Sequence, residues 1–290
     1  MNSLTTAALG RMTTWSVAKR GNSLLRMAAG LTLATIGVLA SGGTGGSTEL
    51  RYAPMTPASS MHLTRHGLAT QSSLDWAGYG VEGPAFSSVD GSWTQPASTC
   101  PSKKAQQATF WVGIDGLLAS DTSVEQIGTD SDCTKGTKKI AAHPNYYAWY
   151  EMYPQPAVFL STTTYPVAPG DAITAGVSVS GSTYSLRLND GVKWHFTTLQ
   201  TASPLPLRSS AEWIAEAPSS CRGSSCKILP LADFGSLGFT GASANGLPIS
   251  SSGFTVDQIN MTTRGSKIVK AQTSALTSGG SAFTISWLHN

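Results

Sequence analysis

From Leu74 onward the chain repeats a single pattern: a short apolar or aromatic run, a cluster of turn residues, then another run, with no sustained helical period. Residues 86–96, 108–114, 146–153 and 172–179 are such runs, and 255–262, 267–271 and 282–287 continue the series through the tail. Residues 184–196 read as a hairpin, YSLRL and VKWHF joined at Asn189-Asp190-Gly191, residue types that tolerate the positive φ of a reversal. Many short strands at this spacing predict an antiparallel β-sandwich and leave little support for helix. Composition agrees: 12% of residues are charged against 40% hydrophobic, with 30 Gly and 15 Pro, so the polar surface is more hydroxyl than charge. At 290 residues, one large domain is the expectation.

The first forty residues differ. Arg11, Lys19, Arg20 and Arg26 precede an apolar run at 27–40, and small residues follow at 41–43, the layout of an export signal with Val38 and Ala40 as the cleavage pair. The apolar run is shorter than the ~20 residues a spanning helix needs. Residues 1–41 are therefore expected to be a signal peptide, 42–71 a linker or short propeptide rich in Gly, Ser, Thr and Pro, and 72–290 the sandwich domain. The expected product is a secreted monomer without membrane association. The full chain carries a formal +3, but residues 1–41 hold four bases and no acid; without them 15 bases face 16 acids, a net −1. No basic excess remains to serve as an electrostatic footprint for nucleic acid.

Export makes disulfides the expectation for the four cysteines, with three possible connectivities. Cys221 and Cys226 enclose Arg-Gly-Ser-Ser, a turn-like loop, which pairs them and leaves Cys100 for Cys133; free thiols are the alternative. Neither a CxxC motif nor closely spaced His and Cys ligands occur, so no metal or other cofactor is expected.

The segment SAEWIAE, residues 210–216, sets two acids among apolar and small residues. If extended, it points Glu212, Ile214 and Glu216 one way and Ala211, Trp213 and Ala215 the other. A carboxylate half-removed from water must pair, take hydrogen bonds or hold its proton to higher pH, and the last property suits acid–base catalysis. The alternative is a solvated outer face of the strand. The chain has no GxSxG elbow, HExxH helix or phosphate loop. His143, His195 and His289 are scattered among loop, hairpin and terminus, which argues against a serine triad.

Three further segments carry polar groups within aromatic strands: FWVGIDG from Phe110, VEQIGTD from Val124 and YYAWYEMYP from Tyr146. Together with SAEWIAE, and in this order, they resemble the glutamic peptidases called eqolisins, the peptidase G1 family, over roughly residues 74–239. The resemblance implies an all-β, concanavalin-like sandwich of two large bent antiparallel sheets with a concave substrate cleft. It puts the catalytic glutamine at Gln126 and the catalytic glutamate at Glu216. Trp76, in LDWAGYG, and Trp111 match aromatics that line the cleft, and Asp115, Trp149 and Glu151 match supporting positions around it. A short disulfide loop falls on Cys221 and Cys226. Tyr147 departs from the pattern, standing where a close family member has an acid.

The implied function is a secreted endopeptidase acting on protein or peptide substrates at acidic pH. Glu216 would manage the proton of the attacking water while the Gln126 carboxamide donates hydrogen bonds to the oxyanion. Two alternatives compete: a β-sandwich glycoside hydrolase, and a carbohydrate-binding module without catalysis. A glycosidase needs two carboxyls about 5–9.5 Å apart. Glu212 and Glu216 stand about 13 Å apart on an extended strand at ~3.3 Å per residue. That leaves Glu151 with Glu216, if their strands are neighbours.

Overall fold

The computed structural model describes residues 70–101, 104–222, 225–265 and 267–290. The expected signal peptide and nearly all of the expected linker lie outside the described residues. The strands are β1 (Thr70–Ser73), β2 (Trp76–Glu82), β3 (Ser88–Thr94), β4 (Thr109–Ile114), β5 (Val124–Cys133), β6 (Pro144–Tyr153), β7 (Val158–Phe159), β8 (Ala172–Ser180) and β9 (Thr183–Asp190). They continue with β10 (Trp194–Thr201), β11 (Ser210–Glu216), β12 (Ser219–Arg222), β13 (Ser225–Ile228), β14 (Ser236–Ala244), β15 (Leu247–Pro248), β16 (Thr255–Thr262), β17 (Val269–Thr273) and β18 (Phe283–Trp287). The only helix among the described residues is one 3-10 turn at Ser278–Gly280, so none there is long and apolar enough to cross a membrane.

Hydrogen bonds run through one continuous ribbon in the order β10-β9-β8-β3-β14-β18-β17-β16-β2-β11-β4-β5-β6-β7, with β15 attached to β14. Every pairing in it is antiparallel except that of β1, which adds in parallel to β16. The ribbon doubles back between β14 and β16, so that β8 packs on β4 and β5, β3 on β4, and β14 on β11. The result is a β-sandwich whose two layers are the two halves of one folded sheet. Cys221 and Cys226 close the separate β12–β13 hairpin, and Cys100 and Cys133 form the second bridge.

The core between the layers follows from the period-two pattern. β9 alternates buried and more exposed residues, sending Tyr184, Leu186 and Leu188 inward. Opposite them lie Phe110, Val112, Ile127 and Trp213. The polar ends of buried indoles are satisfied across the gap: Trp213 Nε1 donates to the Asp90 carbonyl at 2.7 Å and Trp93 Nε1 to Thr129 Oγ1 at 3.1 Å.

Several sequence expectations need correcting. SAEWIAE is not a strand with a solvated face, because β2 and β4 flank it and all seven residues are buried. The hairpin reverses at Gly191–Lys193 rather than at Asn189-Asp190-Gly191; Asn189 and Asp190 stay in the ladder, paired with His195 and Trp194. The shift has a local cause: Lys193 folds back, its amide donating to the Asp190 carbonyl at 2.8 Å and its ammonium pairing with the Asp190 carboxylate at 3.4 Å. Thr70 and Gln71, placed in the linker, belong to β1.

Candidate active site

The layer containing β11 has a second face, turned away from the core, and period two decides what it carries. Strand register aligns Glu151, Gln126, Gly113, Glu212, Gly80 and Asp257 in one row across β6, β5, β4, β11, β2 and β16. The next row is Trp149, Gly128, Trp111, Ile214, Gly78 and Ile259. A third holds Tyr147, Asp130, Thr109, Glu216 and Trp76. Gln126 and Glu216 thus lie on the same face, two strands and four positions apart.

Some glycines in these rows are where large neighbours lie down on the sheet, whereas at Gly78 and Gly128 a backbone carbonyl of the next strand comes closest. A Cβ on Gly128 would stand 2.7 Å from Trp111 Cβ, and one on Gly113 would stand 3.0 Å from Trp111 Cζ3. On Gly80 it would meet Leu117 Cδ2 at 2.8 Å, so the β4–β5 loop folds over this face. Trp76 meets Trp111 edge-on, with ring centroids 5.0 Å apart. Trp76, Trp111 and Trp149 therefore wall the polar groups, whereas Trp93 and Trp213 belong to the core between the layers.

Glu216 Oε2 accepts a hydrogen bond from Trp111 Nε1 at 2.9 Å, and Oε1 has no partner among the described residues. Burial pushes this carboxyl well above the usual range; the charge of Asp75 adds to the effect, the Trp111 hydrogen bond opposes it, and Glu151 and Asp130 raise it further. Gln126 Nε2 donates to Glu151 Oε2 at 2.6 Å, while Oε1 has no partner among the described residues. The influence of Glu151 on Glu216, together with the Gln126–Glu151 bond, ties both ends of the constellation to one electrostatic environment.

Trp149 Nε1 donates to Thr109 Oγ1 at 3.0 Å and to Asp130 Oδ1 at 2.6 Å. Burial lifts Asp130 to about 7 against the hydrogen bonds from Thr109, Tyr147 and Trp149. Glu212 is also raised well above the usual range, by burial first, with the Ser210 hydroxyl opposing and Asp115, Asp121 and Glu125 adding to it. Asp115 is committed to the loop. It sits at φ 68° and accepts the backbone N–H of Arg208 at 2.7 Å and of Ser209 at 2.6 Å. Asp121 holds the same loop, taking the N–H of Gly116 and Leu118 and the Ser209 hydroxyl.

Glu151 and Glu216 are not on neighbouring strands, contrary to the condition for a glycosidase pair, because β4 and β5 lie between β6 and β11. Among the described residues, no three His, Cys, Asp or Glu side chains are grouped to hold a metal ion. Asp130 and Asp75 were missed in the sequence. Asp130 was within reach, since it follows Gln126 by four positions on one strand and must share its face. Asp75 carried no such signal, because its effect on Glu216 arises where the start of β2 meets the end of β11.

The fold is shared with solved peptidase structures. Scytalido-glutamic peptidase with a transition-state analog inhibitor superposes with a TM-score of 0.59 at 24% identity, covering 74% of this chain and 98% of that one. The same peptidase with a peptide-based transition-state analog gives 0.57 at the same identity and coverage. SCP-B, a member of the eqolisin family in complex with the tripeptide Ala-Ile-His, gives 0.51, again at 24% identity and with 74% and 98% covered. At this identity the likeness speaks for the fold, an eqolisin β-sandwich. No curated protein matches the sequence significantly. Residues 74–287 match the peptidase A4 family, and the chain belongs to it. It is a glutamic peptidase, and its substrates are proteins or peptides.

Proposed function

We propose that the protein is an exported endopeptidase that cleaves polypeptides in acid with Glu216 as its proton-transfer group and Gln126 as its polarising amide. One observation carries this reading: Glu216 and Gln126 share a buried face, and each keeps an oxygen without a partner among the described residues. Glu216 holds its proton above the usual carboxylate range, so in acid it starts as the carboxylic acid. It protonates the carbonyl oxygen of the scissile bond as water attacks the carbon, and its carboxylate takes a proton from that water, leaving a neutral gem-diol. The regenerated acid then protonates the amide nitrogen. The C–N bond breaks, and a gem-diol hydroxyl returns its proton to Glu216, leaving a carboxylic acid and an amine.

Gln126 has one N–H on Glu151 and a second N–H to offer the carbonyl oxygen, while its free Oε1 orients the water. Because an amide does not titrate, a single carboxyl governs the upper pH limit. Trp76, Trp111 and Trp149, themselves buried, pack around these groups and lower the polarity of their surroundings. Glu216→Gln and Gln126→Ala should each abolish cleavage of a denatured protein in acid, with unchanged circular dichroism, and the parent activity should resist pepstatin and chelators. An active, folded Glu216→Gln enzyme refutes the assignment.

A further inference from the structure

Beside β17, away from Gln126, the molecule has a cavity of about 440 Å³ that the peptidase reading does not use. Four basic side chains from four separate segments line it: Lys104 ahead of β4, Lys227 on β13, Arg264 in the β16–β17 turn and Lys270 on β17. We propose that this cavity binds an organic carboxylate with a small apolar body, the chemistry of a peptide's free C-terminal residue.

Among the described residues, Asp75 is the one carboxylate whose charge acts on Lys270, and it forms no ion pair with it. Ion pairs among the described residues join Arg187 to Asp90 and Lys193 to Asp171 and Asp190, and none involves these four bases. Lys104, Lys227 and Arg264 are exposed and cost little to keep ionised, but Lys270 is only 8% exposed. Burial pulls its ammonium below the usual lysine range, and the charge of Asp75 only partly offsets this. The Asp75 carboxylate is itself occupied by the Ser73 hydroxyl at 2.7 Å. A buried ammonium beside an open cavity gains most from an anion that enters with it.

Thr262, Thr263 and Asn290 add polar groups to the wall, and its apolar part says what kind of anion. Leu74, Ile228, Leu229 and Pro230 give the cavity an apolar side that a bare inorganic oxyanion would leave in contact with water. The volume lies within the ~300–1,000 Å³ range of small-ligand sites. A leucine-sized body carrying a carboxylate fills both requirements. Neither Glu216 nor Gln126 lines the cavity, so its test is a binding measurement.

Four probes should be titrated into the full-length protein by calorimetry: N-acetyl-leucine, N-acetyl-leucinamide, a tripeptide ending in leucine, and inorganic phosphate. The two organic carboxylates should bind, and the amide and phosphate should bind at least about tenfold more weakly, the worth of one charge-assisted hydrogen bond. Tighter binding of the tripeptide names peptide termini as the source; tighter binding of N-acetyl-leucine names free acids, and both rankings support the site. Lys270→Met should weaken the carboxylates by about tenfold or more. Should that variant not fold, Lys227→Gln with Arg264→Gln, both at exposed positions, should weaken them similarly. The proposal is overturned if no probe binds, if the amide or phosphate matches the carboxylates, or if the double variant binds like the parent.

Discussion

The most direct test of this electrostatic picture is Glu125→Gln. Glu125 precedes Gln126 on β5 but points to the opposite face, into the packing between the layers, where it is 1% exposed. Burial pushes its carboxyl up to about 8; the charge of Asp115 adds to this, the Ser123 hydroxyl opposes it, and Asp121 adds further. The unfolded chain releases this proton near 4.5. Between those two values the native state binds a proton that the unfolded state does not, so stability falls as pH rises. The slope for one group is about 1.4 kcal/mol per pH unit, and the full span amounts to about 5 kcal/mol. Below the lower value the contribution is wholly present, and above the upper one it is gone.

Glutamine mimics the protonated acid at every pH. Parent and variant should therefore have similar unfolding free energies near pH 4, and the variant should be the more stable by several kcal/mol near pH 8. Urea unfolding followed by tryptophan fluorescence across that range gives the difference directly. A difference between the two proteins that stays constant with pH would show that Glu125 titrates alike folded and unfolded, and the reasoning would fail.

Other consequences follow from the same geometry. Asp75→Asn removes a charge that holds the Glu216 proton, so the upper limb of the activity–pH profile should move to lower pH, whereas Trp111→Phe removes the hydrogen bond that favours the carboxylate and should move it to higher pH. Shifts in the same direction would contradict the environment described for Glu216. Glu212, Glu216 and Asp130 share the upward displacement of Glu125, so the parent's melting temperature should drop steeply from acid toward neutral pH. Gly78→Ala should unfold the protein or lower its melting temperature sharply, because the added Cβ would stand 2.0 Å from the Trp213 carbonyl oxygen at φ 144°. Replacing Cys100 and Cys133 with serine opens a 33-residue separation and should cost about 4 kcal/mol by loop entropy, measurable by denaturant unfolding.

Much of the fold was legible in the chain. The runs at 108–114 and 255–262 became β4 and β16 to within a residue, and SAEWIAE became β11 with its ends unchanged. Backbone pleating is local, so the same alternation that predicts a strand also puts Glu212 and Glu216 on one side of it. Turn chemistry was less reliable: Asn189-Asp190-Gly191 looked like a reversal, yet the backbone contact of Lys193 with Asp190 moved the turn onward.

The sequence alone therefore determined the class of fold, the strands that carry Gln126 and Glu216, and which side of each strand those residues face. Only the tertiary structure decided which strands stand beside one another. It separated Glu151 from Glu216 by two strands, brought Asp75 and Trp111 to bear on Glu216, committed Asp115 to the backbone of Arg208 and Ser209, and turned Glu125 into a buried acid. The physical reason is one of range. Side-chain alternation is set by the backbone within a few residues, whereas a carboxyl's acidity depends on burial and on charges that arrive from segments far away in the chain.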